Sequence, residues 1–115
     1  MTSKKKGKLF EDYSITLLES EGFKLFQRNY IIPGAEIDLI MKRGNKLFLI
    51  EVKFRNSVNE FDHVQSYIRK QYFRLRKAKL FLQKKYKFKF KSELWLFLYM
   101  QKNKKMIILK RLKLY

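Results

Sequence analysis

Apolar residues recur at helical spacing from about Lys8 to Glu21, with Phe10, Tyr13 and Leu17 on one side. Gly22 follows as a C-cap. Glu11, Ile15 and Leu18 form a second stripe, so an acid heads a row that is otherwise apolar. Beyond Gly22 the period falls to two. FKLFQRNYII (Phe23–Ile32) reads as a first strand, Pro33-Gly34 breaks it, and Glu36–Lys42 and Lys46–Arg55 follow as the second and third strands. NSVNEFD is a loop in which Asn59 or Asp62 can cap a helix. That second helix runs from His63 to about Lys84, with Val64, Ile68, Tyr72, Leu75 and Leu82 on one face and Lys70, Arg74 and Lys77 on the opposite one. Lys85–Lys91 alternates basic and aromatic residues, as a strand extension or a basic loop. Glu93–Met100 suits a buried strand, QKNKK a turn, and Met106–Tyr115 a final strand. A helix, three strands, a helix and two strands, without internal repeats, predict an α/β domain around one mixed sheet. Residues 1–6 read as a basic disordered start and 7–115 as a single domain.

Charge sharpens this picture. The chain of 115 residues carries a formal net charge of +18. Residues 1–62 are nearly balanced, with 11 basic and 9 acidic residues, whereas residues 63–115 hold 17 basic residues and one acid, Glu93. Such a field favours a polyanionic partner: DNA, RNA or an anionic membrane surface. Lysine as a solubilising surface residue accounts for part of it, but not for the near absence of acids after position 62. There is no cysteine and one histidine, His63, which excludes disulfides and multi-histidine zinc sites within one chain. No apolar run reaches the length of a membrane span, and no signal-type apolar region follows the basic start. The expectation is a cytoplasmic protein that does not enter a membrane.

Against this background the charges of the second and third strands stand out. Glu36 and Asp38 share one face of the second strand, and Glu51, Lys53 and Arg55 share one face of the third. Gly44-Asn45 suits a two-residue hairpin loop. That loop pairs Arg43 with Lys46, Met41 with Phe48 and Ile40 with Leu49, and then Asp38 with Glu51 and Glu36 with Lys53. Like charges directly opposite, with Cβ atoms about 4.5–5.5 Å apart, are destabilising. A divalent cation resolves the conflict, because Mg²⁺ takes carboxylate oxygens together with waters or phosphate oxygens. A surface ion-pair network with Arg43, Lys53 and Arg55 is the other resolution. Lys53 adds a chemical role beside a cation: positioning or deprotonating a water, or offsetting charge on a phosphate. Glu36 either pairs with Lys53 or joins the acids. Glu11 is equally a site acid or an exposed glutamate favoured by the helix dipole.

Asp38, followed by Glu51-Val52-Lys53, resembles the Asp…Glu-x-Lys signature of the PD-(D/E)XK nuclease superfamily. GAEIDLI, LFLIEVKFR, the RNY before them and the GKLFEDYSITLLESEGF helix together resemble the YraN family of predicted endonucleases, related in fold to Holliday-junction resolvases. The resemblance spans roughly residues 7–84. It implies a restriction-endonuclease-like core, a central mixed sheet flanked by helices in α-β-β-β-α-β-β order. It implies Asp38 and Glu51 as paired ligands of Mg²⁺ or Mn²⁺ with the Val52 carbonyl beside them, Lys53 as the catalytic lysine, and Glu11 as a further acid at the metal. Lys70 and Arg55 match recurrent basic positions of the family, and with Arg74 and Lys77 they are the expected nucleic-acid contacts. Ala35 stands where a glycine is usual, and ELWLFLY lacks the aspartate expected in the corresponding strand. The expected activity is Mg²⁺-dependent hydrolysis of phosphodiester bonds in DNA, with branched or structured DNA favoured because no base-reading pattern is present. Symmetric cutting of two strands would suit a homodimer. The alternatives are a non-catalytic nucleic-acid-binding protein on the same fold, and an interaction protein that docks to an acidic partner or anionic lipid.

Overall fold

The computed structural model describes residues 3–56, 64–86 and 91–115. The elements are α1 (Ser3–Ser20), β1 (Lys24–Ile32), β2 (Ala35–Arg43), β3 (Lys46–Arg55), α2 (Val64–Tyr86), β4 (Lys91–Asn103) and β5 (Met106–Lys113). The expected α-β-β-β-α-β-β order is therefore observed. One five-stranded sheet runs β1-β2-β3-β4-β5. Among the described residues only β3 and β4 pair in parallel, with α2 between them in the chain; the other neighbouring pairs are antiparallel. Among the described residues no helix is long and apolar enough to cross a membrane. The candidate cap residues Asn59 and Asp62, the histidine His63 and residues 87–90 of the basic-aromatic run lie outside the described residues.

Two separate cores explain why β3 reads as a continuous apolar run. Side chains alternate across the strand, and both faces are covered. Leu47 and Leu49 pack with Leu75, Ala78 and Leu82 of α2. Phe48, Ile50 and Val52 pack with Leu18 of α1 and with Phe97 and Tyr99 of β4. The turns are where the sequence puts them. Gly22 takes φ 92 and Gly34 φ 79, conformations that a side chain would oppose. After α1, the Phe23 amide returns to the Leu18 carbonyl at 3.0 Å, satisfying a helix-end acceptor. Gly44 has φ 62 while Asn45 keeps a negative φ, the arrangement of a type II′ hairpin.

Three sequence expectations are corrected. First, α1 begins at Ser3, inside the segment read as a disordered start. Lysines in a first turn oppose the helix dipole, but the Lys6 ammonium lies 5.1 Å over the Phe54 ring, which anchors this end to the sheet. Second, the buried face of α1 is not Phe10-Tyr13-Leu17. Tyr13 is exposed, whereas Ser14 is fully buried between Phe10 and Leu18. Its hydroxyl lies 2.7 Å from the Phe10 carbonyl and 2.7 Å from the Tyr99 hydroxyl, so a polar residue is satisfied at a core position. Phe10 itself stacks on Phe54 with ring centroids 4.9 Å apart. Third, Arg74 does not lie opposite the buried face of α2. It flanks the buried Gln71, Leu75 and Ala78 and turns toward the sheet, while Lys70 and Lys77 are exposed.

Candidate functional site

The hairpin of β2 and β3 pairs as expected from Arg43–Lys46 through Met41–Phe48 and Ile40–Leu49 to Leu39–Ile50. There the ladder ends. β2 continues against β1, with Ile37 beside Tyr30 and Glu36 beside Ile31. β3 continues against β4, with Glu51 beside Leu96 and Lys53 beside Leu98. The sheet forks at the step where Asp38 and Glu51 come next, and the expected Glu36–Lys53 rung does not form. The Asp38 carboxylate takes over part of the ladder's role, its Oδ2 accepting the Val52 amide at 2.8 Å.

The fork opens into a cleft of about 1120 Å³. Asp38, Glu51 and Lys53 line it, with Glu36 at its rim. Lys5, Lys8 and Glu11 of α1 close one side, Arg28 and Asn29 of β1 another, and Arg74 reaches in from α2. Glu51 is 2% exposed, and its Oε1 is buried with no hydrogen-bond partner among the described residues. Burial, and then the neighbouring Asp38 carboxylate, push its pKa up to about 8. Arg74 and Lys53 oppose that rise without cancelling it. Burial also raises Asp38, against the Val52 amide and the charge of Lys53. Glu11 is raised by burial and by Asp38, against Asn29 and Arg28. Three carboxyls in one cleft thus sit above their ordinary range, chiefly because the cleft withdraws them from water and then because they repel one another.

A divalent cation fits the pair. Asp38 and Glu51 are adjacent hard oxygen donors, and the Glu51 Oε1 orphan is a vacant acceptor of the kind a cation fills. Glu11 is placed differently. Its Oε1 accepts from Arg28 Nη2 at 3.4 Å and from Asn29 Nδ2 at 3.3 Å. Among the described residues no three of His, Cys, Asp or Glu gather closely enough to hold an ion by themselves. The cation donors this arrangement offers are Asp38 and Glu51, with the Val52 backbone next to them.

Of the expected nucleic-acid contacts, the structure brings only Arg74 into the cleft. Lys77 lies next to Gly34, its Nζ 3.5 Å from where a Cβ would stand. Arg55 donates to the Phe54 carbonyl at 3.2 Å and is not among the residues lining the cleft. Sequence reasoning missed Lys5, Lys8, Arg28 and Asn29. Lys5 lies in the segment 1–6 expected to be disordered, and Lys8, one turn before Glu11 on the expected helix, carried no signal beyond its positive charge. Asn29 has φ 50 in the middle of β1, a left-handed conformation that asparagine tolerates better than most residues. That turn of the backbone aims Nδ2 at Glu11. Asn29→Ala is therefore expected to cost about 1–2 kcal/mol in urea unfolding. Asn29→Gly should recover the backbone part and leave only the loss of the Glu11 hydrogen bond. Equal stability of both variants and the wild type would sink this assignment.

Comparison with known proteins places the chain. The model of the family described as Uncharacterised protein family UPF0102 matches residues 10–108, which takes in the acid pair, Lys53 and Arg74. A UPF0102 protein of Dictyoglomus thermophilum is 38% identical over 86 residues, covering 74% of this chain and 73% of the relative. One from Shewanella loihica is 42% identical over 73 residues, 64% of each chain. One from Pseudoalteromonas translucida is 44% identical over 55 residues, 48% of this chain and 45% of the relative. With the family model matching most of its length, the chain belongs to UPF0102, the YraN family.

Proposed function

We propose that the protein is a metal-dependent endonuclease that hydrolyses phosphodiester bonds in DNA. The observation that carries this reading is the buried Glu51, its Oε1 unpartnered among the described residues, next to the half-buried Asp38 and Lys53 in a cleft rimmed by cations. Asp38 and Glu51 would hold Mg²⁺ or Mn²⁺, with the Val52 carbonyl beside them. When bound, the ion supplies a Lewis acid that lowers the pKa of a water and offsets charge on the scissile phosphate. Lys53 holds its ammonium next to both acids, where it orients the attacking water or stabilises the charge that builds on the phosphate. Arg74, Lys5 and Lys8 seat the phosphate oxygens flanking that point, and Lys70, Lys77 and Arg55 lie outside this seat. Because these contacts reach backbone rather than base edges, substrate choice follows DNA shape, such as a branch or flap.

One observation favours the second reading, a nucleic-acid-binding protein that does not cut. Glu11 is engaged by Arg28 and Asn29 rather than joined to the acid pair. Incubation with four-way junctions, flaps, duplex and single-stranded DNA in millimolar Mg²⁺ or Mn²⁺ separates the two. Nicked products on a denaturing gel, absent in EDTA, are the expected result. Retarded complexes on every substrate without any product would establish the binding protein instead.

A further inference from the structure

A second group of like charges lies at the other end of the sheet. Lys46 opens β3 and Lys91 opens β4, and the parallel register sets these two lysines side by side. Lys113, near the end of β5, and Lys79, from α2, complete a hollow of about 430 Å³ that Ser92, Glu93 and Tyr115 also line. Adjacent like charges on neighbouring strands are destabilising, as they are for Asp38 and Glu51. Glu93 compensates only part of this. Its Oε2 meets Lys46 Nζ at 2.7 Å and its Oε1 lies 3.7 Å from Lys113 Nζ. Four ammonium groups thus face one side-chain carboxylate. The Lys79 ammonium lies 4.6 Å over the Tyr115 ring, outside any carboxylate's reach among the described residues.

We propose that this hollow is a second phosphate site, which holds the nucleic-acid backbone at a distance from the cleft. Lys46 and Glu51 are separated by a run of β3 that spans roughly 17 Å at the rise of an extended strand. A phosphate bound here fixes how the strand enters the cleft, and it gives three of the basic residues of the second half of the chain, Lys79, Lys91 and Lys113, a common partner. The inference rests on the nucleic-acid-binding part of the proposed function and not on cleavage.

The test uses the full chain in EDTA, so that no cutting intervenes. Affinity for a labelled duplex is measured by anisotropy across a salt series. The double variant Lys79→Ala/Lys91→Ala is expected to lower the log–log salt slope by about 0.9 for the one phosphate lost. Lys24→Ala/Lys42→Ala, which removes the same charge from exposed neighbours on β1 and β2, is expected to leave the slope unchanged. An unchanged slope in the Lys79/Lys91 variant, or an equal drop in the Lys24/Lys42 control, overturns the hollow while leaving the proposed function standing. A wild type that fails to bind DNA at low salt overturns both. Inorganic phosphate, titrated while amide shifts of Lys91, Ser92 and Glu93 are followed, identifies the source. Competition between phosphate and DNA supports the backbone assignment. Phosphate binding that leaves DNA affinity untouched assigns the hollow to a free phosphate and overturns it.

Discussion

Glu51→Gln is expected to melt on the order of 10 °C above the wild type at pH 8 in EDTA. The reason is that Glu51 occupies a place no carboxylate favours. Its carboxyl, ordinarily at 4.5, is pushed up to about 8 by burial and by Asp38. Below 4.5 the group is protonated in both folded and unfolded chains and contributes nothing. Between 4.5 and 8 the unfolded chain releases the proton that the folded chain keeps, so stability falls as pH rises. Above 8 the full penalty remains, on the order of 4 kcal/mol. The raised Asp38 and Glu11 add to the same trend. Glutamine keeps the shape, removes the charge and can donate to Asp38. The gain over wild type should therefore be small at pH 4.5 and grow steadily to pH 8. Millimolar Mn²⁺ should raise the melting temperature of the wild type at pH 8, through preferential binding to the folded state, and should leave Glu51→Gln unmoved. Thermal melts at a series of pH values decide it. A flat wild-type profile from pH 5 to 8, with no advantage for the variant, would remove the physical basis of the cation site.

The hairpin and its register were legible because two local signals agree. Gly44-Asn45 fixes the turn, and period-two alternation fixes the faces, so the pairs from Arg43–Lys46 to Ile40–Leu49 follow by counting. Counting fails at the acids because the end of the ladder is not a local property. It depends on β1 holding one side of β2 while β4 holds β3, and those partners lie at distant positions in the chain. The same limit explains Ser14. Helical spacing nominated Tyr13, but the hydroxyl that lets Ser14 enter the core belongs to Tyr99, 85 residues away. Arg74 was read as solvent-facing because it falls with Lys70 and Lys77 on a helical wheel. A wheel gives relative angles, whereas the orientation of α2 against the fork decides which flank meets Glu51. Glu36, which sequence could not place, proves to be a rim acid whose charge adds to the rise at Asp38.

Asp38→Asn is expected to lower cleavage at least 10³-fold, about 4 kcal/mol of transition-state stabilisation, while DNA affinity in EDTA rises two- to five-fold. The two effects run in opposite directions for one electrostatic reason. Asp38 repels phosphate when no cation is present, and it holds the cation when one is. Asparagine keeps an oxygen for the Val52 amide, which Asp38 Oδ2 accepts at 2.8 Å, so the fork retains its shape. Asp38→Ala lacks that acceptor and should also lose about 1–3 kcal/mol of stability from the orphaned amide. Lys53→Ala should match the loss of cleavage but shift binding the other way, since Lys53 is the cation that offsets both Asp38 and Glu51. Because the two residues serve one reaction centre, the double variant should cleave no worse than either single one. Glu36→Gln, on the exposed rim, should stay within a few-fold of wild type in cleavage. Single-turnover rates in Mn²⁺, read beside anisotropy in EDTA and thermal melts, give all of these comparisons. A purely structural role for Asp38 predicts that binding, cleavage and melting temperature fall together. That pattern, or retention of more than about a tenth of the rate in Asp38→Asn, would return the acid pair to the ion-pair network that Lys53 and Arg74 already partly supply.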